Sequence, residues 1–314
     1  MGLAEDLIEA FNAAAGGPHD GARAAHAKGV VCEGTFTARP EAARLTRAVH
    51  LQGEPVRATV RFSNGSGNPS AHDGQRDGRG MAVKLYLPDG SRTDIVSVTL
   101  PSFLARIPED LLEFTRVRTP DPATGEVDME KVGTYLAAHP EAMPAIQGAI
   151  GKGPPPSYGQ CTYNSIHAFA LVNAAGDRRF ARYRWLPEAG EAELDDEDAL
   201  SRSPDYLREE MAERLGREPV VFNLVLRLAD PGDDVNDPTA AWPEGEREEV
   251  RAGRLEITGL DQSRERDGDV LVFDPTRVTD GIELSEDPIL HARPAAYSVS
   301  VARRTAAAAQ SLAP

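Results

Sequence analysis

Arg57-Ala58-Thr59-Val60-Arg61-Phe62 and, after a loop, Met81-Ala82-Val83-Lys84-Leu85-Tyr86-Leu87 are the stretches on which the fold turns. In the first, Ala58, Val60 and Phe62 alternate with Arg57, Thr59 and Arg61. Successive side chains of a strand point to opposite faces, so this is the pattern of a half-buried strand. The second is also strand-like and ends at Pro88-Asp89-Gly90, a tight turn. Residues 65–80, rich in Gly, Asn, Asp and Arg, read as the loop between them. Working outward, strands are expected at 30–36, 95–99, 167–172, 179–185 and 220–228. Helices are expected at 3–15, from Pro108 onward, at 205–214 and over 292–310. Gly16-Gly17-Pro18 ends the first helix, and Pro108 opens the second with Glu109 and Asp110 in its first turn. Gly151 to Pro156 reads as a hinge, and acidic residues 189–198 as a solvated loop. Strand-like segments resume beyond the hinge, so residues 1–314 are taken as one domain. The expected class is α+β: a closed or strongly curved antiparallel sheet with helices packed around it.

The chain has 314 residues, 40% of them hydrophobic, enough for a substantial core. Lys plus Arg is 34 against 50 for Asp plus Glu, a formal charge of −16. Binding to nucleic acid or an anionic membrane needs a basic surface, so neither is expected, although a local basic pocket is compatible with the total. Two cysteines, Cys32 and Cys161, support neither a disulfide framework nor a multi-Cys zinc site. The start of the chain lacks the basic and apolar regions of a secretory signal, and no run of 18 apolar residues occurs. A cytoplasmic protein is expected.

Three segments could carry chemistry. They are Arg23-Ala24-Ala25-His26-Ala27-Lys28-Gly29; Val60-Arg61-Phe62-Ser63 with Arg76-Asp77-Gly78-Arg79-Gly80-Met81-Ala82-Val83-Lys84; and Phe273-Asp274-Pro275, Asp287, Arg293 to Tyr297 and Arg303-Arg304. Arg293 precedes Tyr297 by four residues, so a helix places both on one face, and Arg304, two turns on, can share it. Guanidiniums beside a phenol favour phenolate, which can bind ferric iron. A packing or surface contact accounts for the same spacing, and the residues alone leave both readings open.

The order Arg-x-x-His-Ala-Lys-Gly, Val-Arg-Phe-Ser, Arg-Asp-x-Arg-Gly-x-Ala-Val-Lys and Arg-x-x-x-Tyr resembles the haem catalases, from about Ala22 to Arg304. Phe169-x-Leu-Val-Asn173, Trp242-Pro243 and Phe273-Asp274-Pro275 add to it. The chain is most similar to the small catalase-related peroxidases, which keep the barrel core and lack the extra C-terminal domain. The resemblance implies a catalase-like antiparallel β-barrel with flanking helices and a b-type haem. It implies His26 as the distal acid–base, Ser63 as its hydrogen-bond partner, and Tyr297 as the axial ligand to the haem iron. Arg293 would hold the tyrosinate, with Asp287 and His167 behind it. Arg23, Arg61 and Arg304 would pair with the haem propionates.

One departure bears on activity. Catalases carry a distal asparagine in a Gly-Asn-Asn-Thr-Pro run, and here Ser97-Val98-Thr99-Leu100-Pro101 stands in its place. Val98 cannot donate a hydrogen bond to peroxide. Thr99 could donate, but a regular strand points it to the opposite face. Leu111 stands where catalases have phenylalanine. The expected activity is therefore a haem peroxidase acting on hydrogen peroxide or organic hydroperoxides with an organic reductant, and with weak catalase activity. The alternatives are a haem enzyme that rearranges or cleaves fatty-acid hydroperoxides, and a non-enzymatic haem-binding protein. A monomer or small homo-oligomer is expected. His50, His72, His139 and His291 read as surface or structural residues, and 246–249 as a solvated charge run.

Overall fold

The computed structural model describes residues 2–242, 245–265 and 269–311, with side chains described as far as residue 306. Pro243 of the Trp-Pro echo lies outside the described residues. The alternating segment becomes strand β2 (Val56–Asn64), paired with β1 (Gly29–Ala38) on one side and β3 (Arg79–Tyr86) on the other. β4 (Arg92–Val98) follows on β3, and β5 (Tyr163–Asn164) on β4. β7 (Arg178–Pro187), β8 (Val220–Leu228) and β9 (Glu249–Leu260) complete the circuit back to β1. Pairing of β7 with β8 closes the ring, giving an antiparallel barrel of eight strands. β6 (Phe169–Val172) and β10 (Ile282–Leu284) extend it beside β7.

Closure removes the sheet edges and fills the interior with side chains, as a barrel of this size requires. Phe36, Phe62, Val83, Leu85, Tyr163, Trp185, Phe222, Leu224 and Ile257 are all fully buried there. The ring bends at a bulge in β9, where Gly253 faces Leu224 and Arg251 faces Val225. A Cβ on Gly253 would meet the Phe36 ring at 2.4 Å, so the side chain of Phe36 fills the place that glycine leaves. β2 is buried on both faces, because other elements cover its outer side as well.

The helices α1 (Leu3–Ala14), α2 (Pro108–Val117) and α7 (Pro288–Ser311) pack on one another outside the barrel. Leu7 and Ala10 of α1 meet Leu112 of α2, and Arg303 of α7 pairs with Glu9 of α1 at 2.5 Å. α3 (Met129–Ala138), α4 (Met143–Gly151), α5 (Asp196–Ser201) and α6 (Tyr206–Leu215) complete the set. Among the described residues no helix is long and apolar enough to cross a membrane.

Several expectations change. Gly80 belongs to β3 rather than to the preceding loop, and Thr99 falls outside β4. The helices at 129–138 and 143–151 and the twelve-residue strand β9 occupy stretches for which no element is expected from the sequence. The 246–249 run is not simply solvated. Arg247 makes a two-pronged contact with Asp233, and Glu249 opens β9 while accepting from Arg184 and Arg227. Strands on both sides of residues 151–156 belong to the same sheet, since β4 pairs with β5 and β1 with β9.

Candidate active site

The pleat of the first four strands assembles one wall of the site. Gly29, Ser63, Gly80 and Val98 line up across β1, β2, β3 and β4. Two residues along each strand, on the same outer face, come Val31, Arg61, Ala82 and Val96. Val31, Ala82 and Val96 pack with Leu271 and Phe273, which cover that part of the wall.

His26 sits just ahead of β1. Its backbone adopts a left-handed φ of +55°, unusual for a residue with a side chain. Such strain persists only where surroundings over-determine it. Here His26 N–H donates to Gly65 O at 3.0 Å, and Arg61 donates to the carbonyls of His26 and Ala27 at 2.9 and 3.1 Å. The ring is set by Ser63, whose Oγ lies 3.0 Å from Nδ1. A Cβ on Gly80 would stand 2.8 Å from that Oγ and 2.9 Å from Nδ1, so only glycine at this position of the row leaves room for the imidazole. Burial, then the charges of Arg61, Arg293 and Arg23, hold His26 down at about 3. The ring is therefore neutral at ordinary pH and able to accept a proton.

The opposite group comes from α7. Nε of Arg293 donates to the Tyr297 phenol oxygen at 2.9 Å, and its Nη1 lies 2.8 Å from Nε2 of His167. Nδ1 of His167 is 2.6 Å from Asp287 Oδ2, and the other oxygen of Asp287 accepts from the Ile289 and Leu290 amides at the start of α7. Burial, opposed by Asp287, pushes His167 down to about 4. A neutral His167 that donates from Nδ1 to Asp287 presents the Nε2 lone pair to Arg293. The carboxylate, imidazole, guanidinium and phenol thus form one chain of hydrogen bonds. That Arg293 also depresses His26 places the two groups within electrostatic reach of each other.

Arg23, Arg61 and Arg304 meet at the edge of the site. Burial, then Arg61, pushes Arg23 down to about 9, and burial lowers Arg304 as well. Nε of Arg304 is buried and has no hydrogen-bond partner among the described residues. Arg23 and Arg61 share a counter-ion, Glu265, which sequence reasoning did not single out. Three cations against one carboxylate leave a surplus of positive charge suited to an anionic ligand. Haem carries two propionates and needs an axial ligand and a polar distal group, so these residues fit it. All ten residues expected at the site fall into three connected groups: His26 with Ser63 and the Val98 row, Tyr297 with Arg293, His167 and Asp287, and the arginine cluster. Thr99 Oγ1 accepts from the Arg79 amide instead of serving the site, and Leu111 packs against α1.

An eight-stranded antiparallel barrel with a half-buried, serine-held histidine at its outer wall, and a helix carrying an arginine-bound tyrosine, define the class of the haem catalases. The family model "Catalase" matches residues 21–313, and the chain belongs to the catalase family. A catalase-related peroxidase of Mycolicibacterium paratuberculosis is 43% identical, over 92% of this chain and 91% of that one. A second catalase-related peroxidase, from Synechococcus elongatus, is 31% identical over 92% of this chain and 85% of its own length. Catalase-2 of Bacillus subtilis is 27% identical, and the match covers 43% of it. Among solved structures, a fungal catalase superposes with a TM-score of 0.83 and a bacterial catalase with 0.80, each 23% identical. Each match covers 90% of this chain, with 59% of the fungal chain and 57% of the bacterial one. The family implies haem, and the chain is an oxidoreductase of that family.

Proposed function

We propose that the chain is a haem b peroxidase that reduces hydrogen peroxide or organic hydroperoxides at the expense of an organic reductant, with weak catalase activity. The hydrogen bond from Arg293 to Tyr297, backed by His167 and Asp287, is the observation that carries the reading. The hydrogen bond fixes the phenol oxygen, the atom that would bind ferric iron. In this reading Tyr297 holds the iron and Arg23, Arg61 and Arg304 hold the propionates. When bound, haem supplies the electrons that cleave the peroxide O–O bond.

The chain's own residues manage the protons. Nδ1 of His26 is committed to Ser63, so Nε2 is the atom free to act. With the Nδ1 proton directed at Ser63 Oγ, Nε2 carries a lone pair, takes the proton of the near peroxide oxygen and returns it to the departing one. The departing oxygen leaves as water or alcohol, and the reductant restores the electrons.

Val98 favours peroxidase over catalase. It lies in one row with Ser63 and with Gly80, the glycine that leaves room for the imidazole, and offers no donor to orient a second hydrogen peroxide. The names of the two catalase-related peroxidases support the same choice. We further propose a cytoplasmic location, in keeping with two buried thiols that burial pushes up to about 12 for Cys32 and about 11 for Cys161. Steady-state consumption of hydrogen peroxide with and without a phenolic reductant tests the activity. Turnover is expected to depend on the reductant, and rapid oxygen release without it would overturn the peroxidase reading.

A further inference from the structure

Glu265 follows β9 and reaches back to the site. Arg61 Nε donates to its Oε2 at 2.8 Å, and Arg23 Nη1 pairs with its Oε1. Burial would raise its carboxyl, but Arg61 and Arg23 outweigh that and hold it below the ordinary glutamate range. It is therefore an anion lodged among guanidiniums.

Two features show that this position is imposed. The backbone of Glu265 has a left-handed φ of +57°, which a residue with a Cβ rarely adopts. Asp269 holds the turn by accepting from the Glu265 amide at 3.0 Å and from Arg264 Nε at 2.8 Å. The ion pairs with Arg23 and Arg61 then give the strained residue its compensation.

Glu265 shares these guanidiniums with backbone carbonyls. Three of the five N–H donors of Arg61 are in use: Nη1 and Nη2 serve the carbonyls of His26 and Ala27, and Nε serves Glu265. Arg23 Nη2 donates to Leu271 O at 2.6 Å, while Nη1 faces Glu265. A haem propionate that pairs with Arg23 and Arg61 would meet the carboxylate already held there, and two like charges on the same guanidiniums repel.

We propose that Glu265 is an internal stand-in for a haem propionate: it holds the arginine cluster while haem is absent, and haem displaces it on binding. The inference rests on the haem reading above. It makes Glu265 an affinity-determining residue, because haem entry becomes an exchange of one carboxylate for another on the same guanidiniums. Holding Arg61 in this way also keeps its grip on the His26 carbonyl, so the distal group stays formed before haem arrives.

The test is titration of ferric haem into the haem-free full chain, wild type and Glu265→Gln, followed by haem absorbance. Hydrogen exchange over residues 261–265 is measured in the wild type with and without haem. The glutamine variant is expected to bind haem about tenfold more tightly, having lost its internal competitor. Residues 261–265 are expected to exchange faster once haem is bound, the reverse of the protection a ligand usually confers. Equal or weaker binding by the variant, or unchanged or slower exchange in the wild type, overturns the proposal. A wild-type chain that takes up no haem defeats the haem reading and this inference with it.

Discussion

Arg293 donates to the Tyr297 phenol oxygen from Nε, at 2.9 Å, one helical turn ahead of it. The same guanidinium reaches His167 at 2.8 Å through Nη1, so one planar group spans two partners. A lysine ammonium is a point charge and cannot reproduce that fork. Arg293→Lys should therefore weaken ferric haem binding by about 10- to 100-fold, the range for losing a hydrogen bond to a charged group. Haem titration checks it, and an unchanged affinity would mean that Arg293 does not support the ligand.

Gly80 makes room for His26 without taking part in the chemistry. The Cβ of Gly80→Ala would enter within 3.0 Å of the Ser63 hydroxyl and the imidazole. Peroxide turnover should fall about 100-fold, the lower end of what a positioned acid–base contributes, while haem remains bound. Parallel measurement of turnover and haem content separates a misplaced histidine from a lost cofactor.

Val98 tests the division between peroxidase and catalase. Val98→Asn puts an amide donor in the row that carries Ser63 and Gly80. Oxygen release from hydrogen peroxide without reductant should rise by about tenfold, the worth of one hydrogen bond formed in the rate-limiting step. A variant that releases no more oxygen than the wild type would show that the valine does not set the balance.

His50 gives the fold an acid weakness. It is fully buried, neither ring nitrogen has a partner among the described residues, and burial holds it down at about 4 against an ordinary 6.5. The folded-state value is the lower one, so the contribution is complete above 6.5 and is lost as pH falls toward 4. Between pH 7 and 5 the unfolded chain takes up a proton that folded His50 refuses, costing about 2 kcal/mol of stability. Urea unfolding at pH 5, 6 and 7 should show a shallower decline for His50→Leu. Equal slopes would show that His50 does not set the acid sensitivity.

The parts of the fold legible in the sequence are those where one physical rule dominates. β8 occupies Val220–Leu228, the bounds expected for it, because it is a nearly unbroken apolar run. In β9 the alternation of Leu255 and Ile257 with Arg254 and Glu256 is short, because the bulge at Ala252 breaks the pattern ahead of it. At the site, the pairing of Arg293 with Tyr297 follows from helical spacing, and the remaining roles follow from family resemblance. Glu265 has neither support. It is one acid in a charged stretch, and only the closure of β9 onto β1 carries it toward Arg23 and Arg61. The spatial use of Gly80 was equally hidden, since a glycine beside a glycine-rich loop reads as more loop until strand register places it under the imidazole.

In the proposed function Tyr297 ligates the haem iron. Absorption spectra of the haem-loaded wild type and of Tyr297→Phe test it most directly. A high-spin ferric spectrum of the tyrosinate type is expected in the wild type, and its loss in the variant. Haem bound equally well, with the same spectrum, in Tyr297→Phe would contradict it.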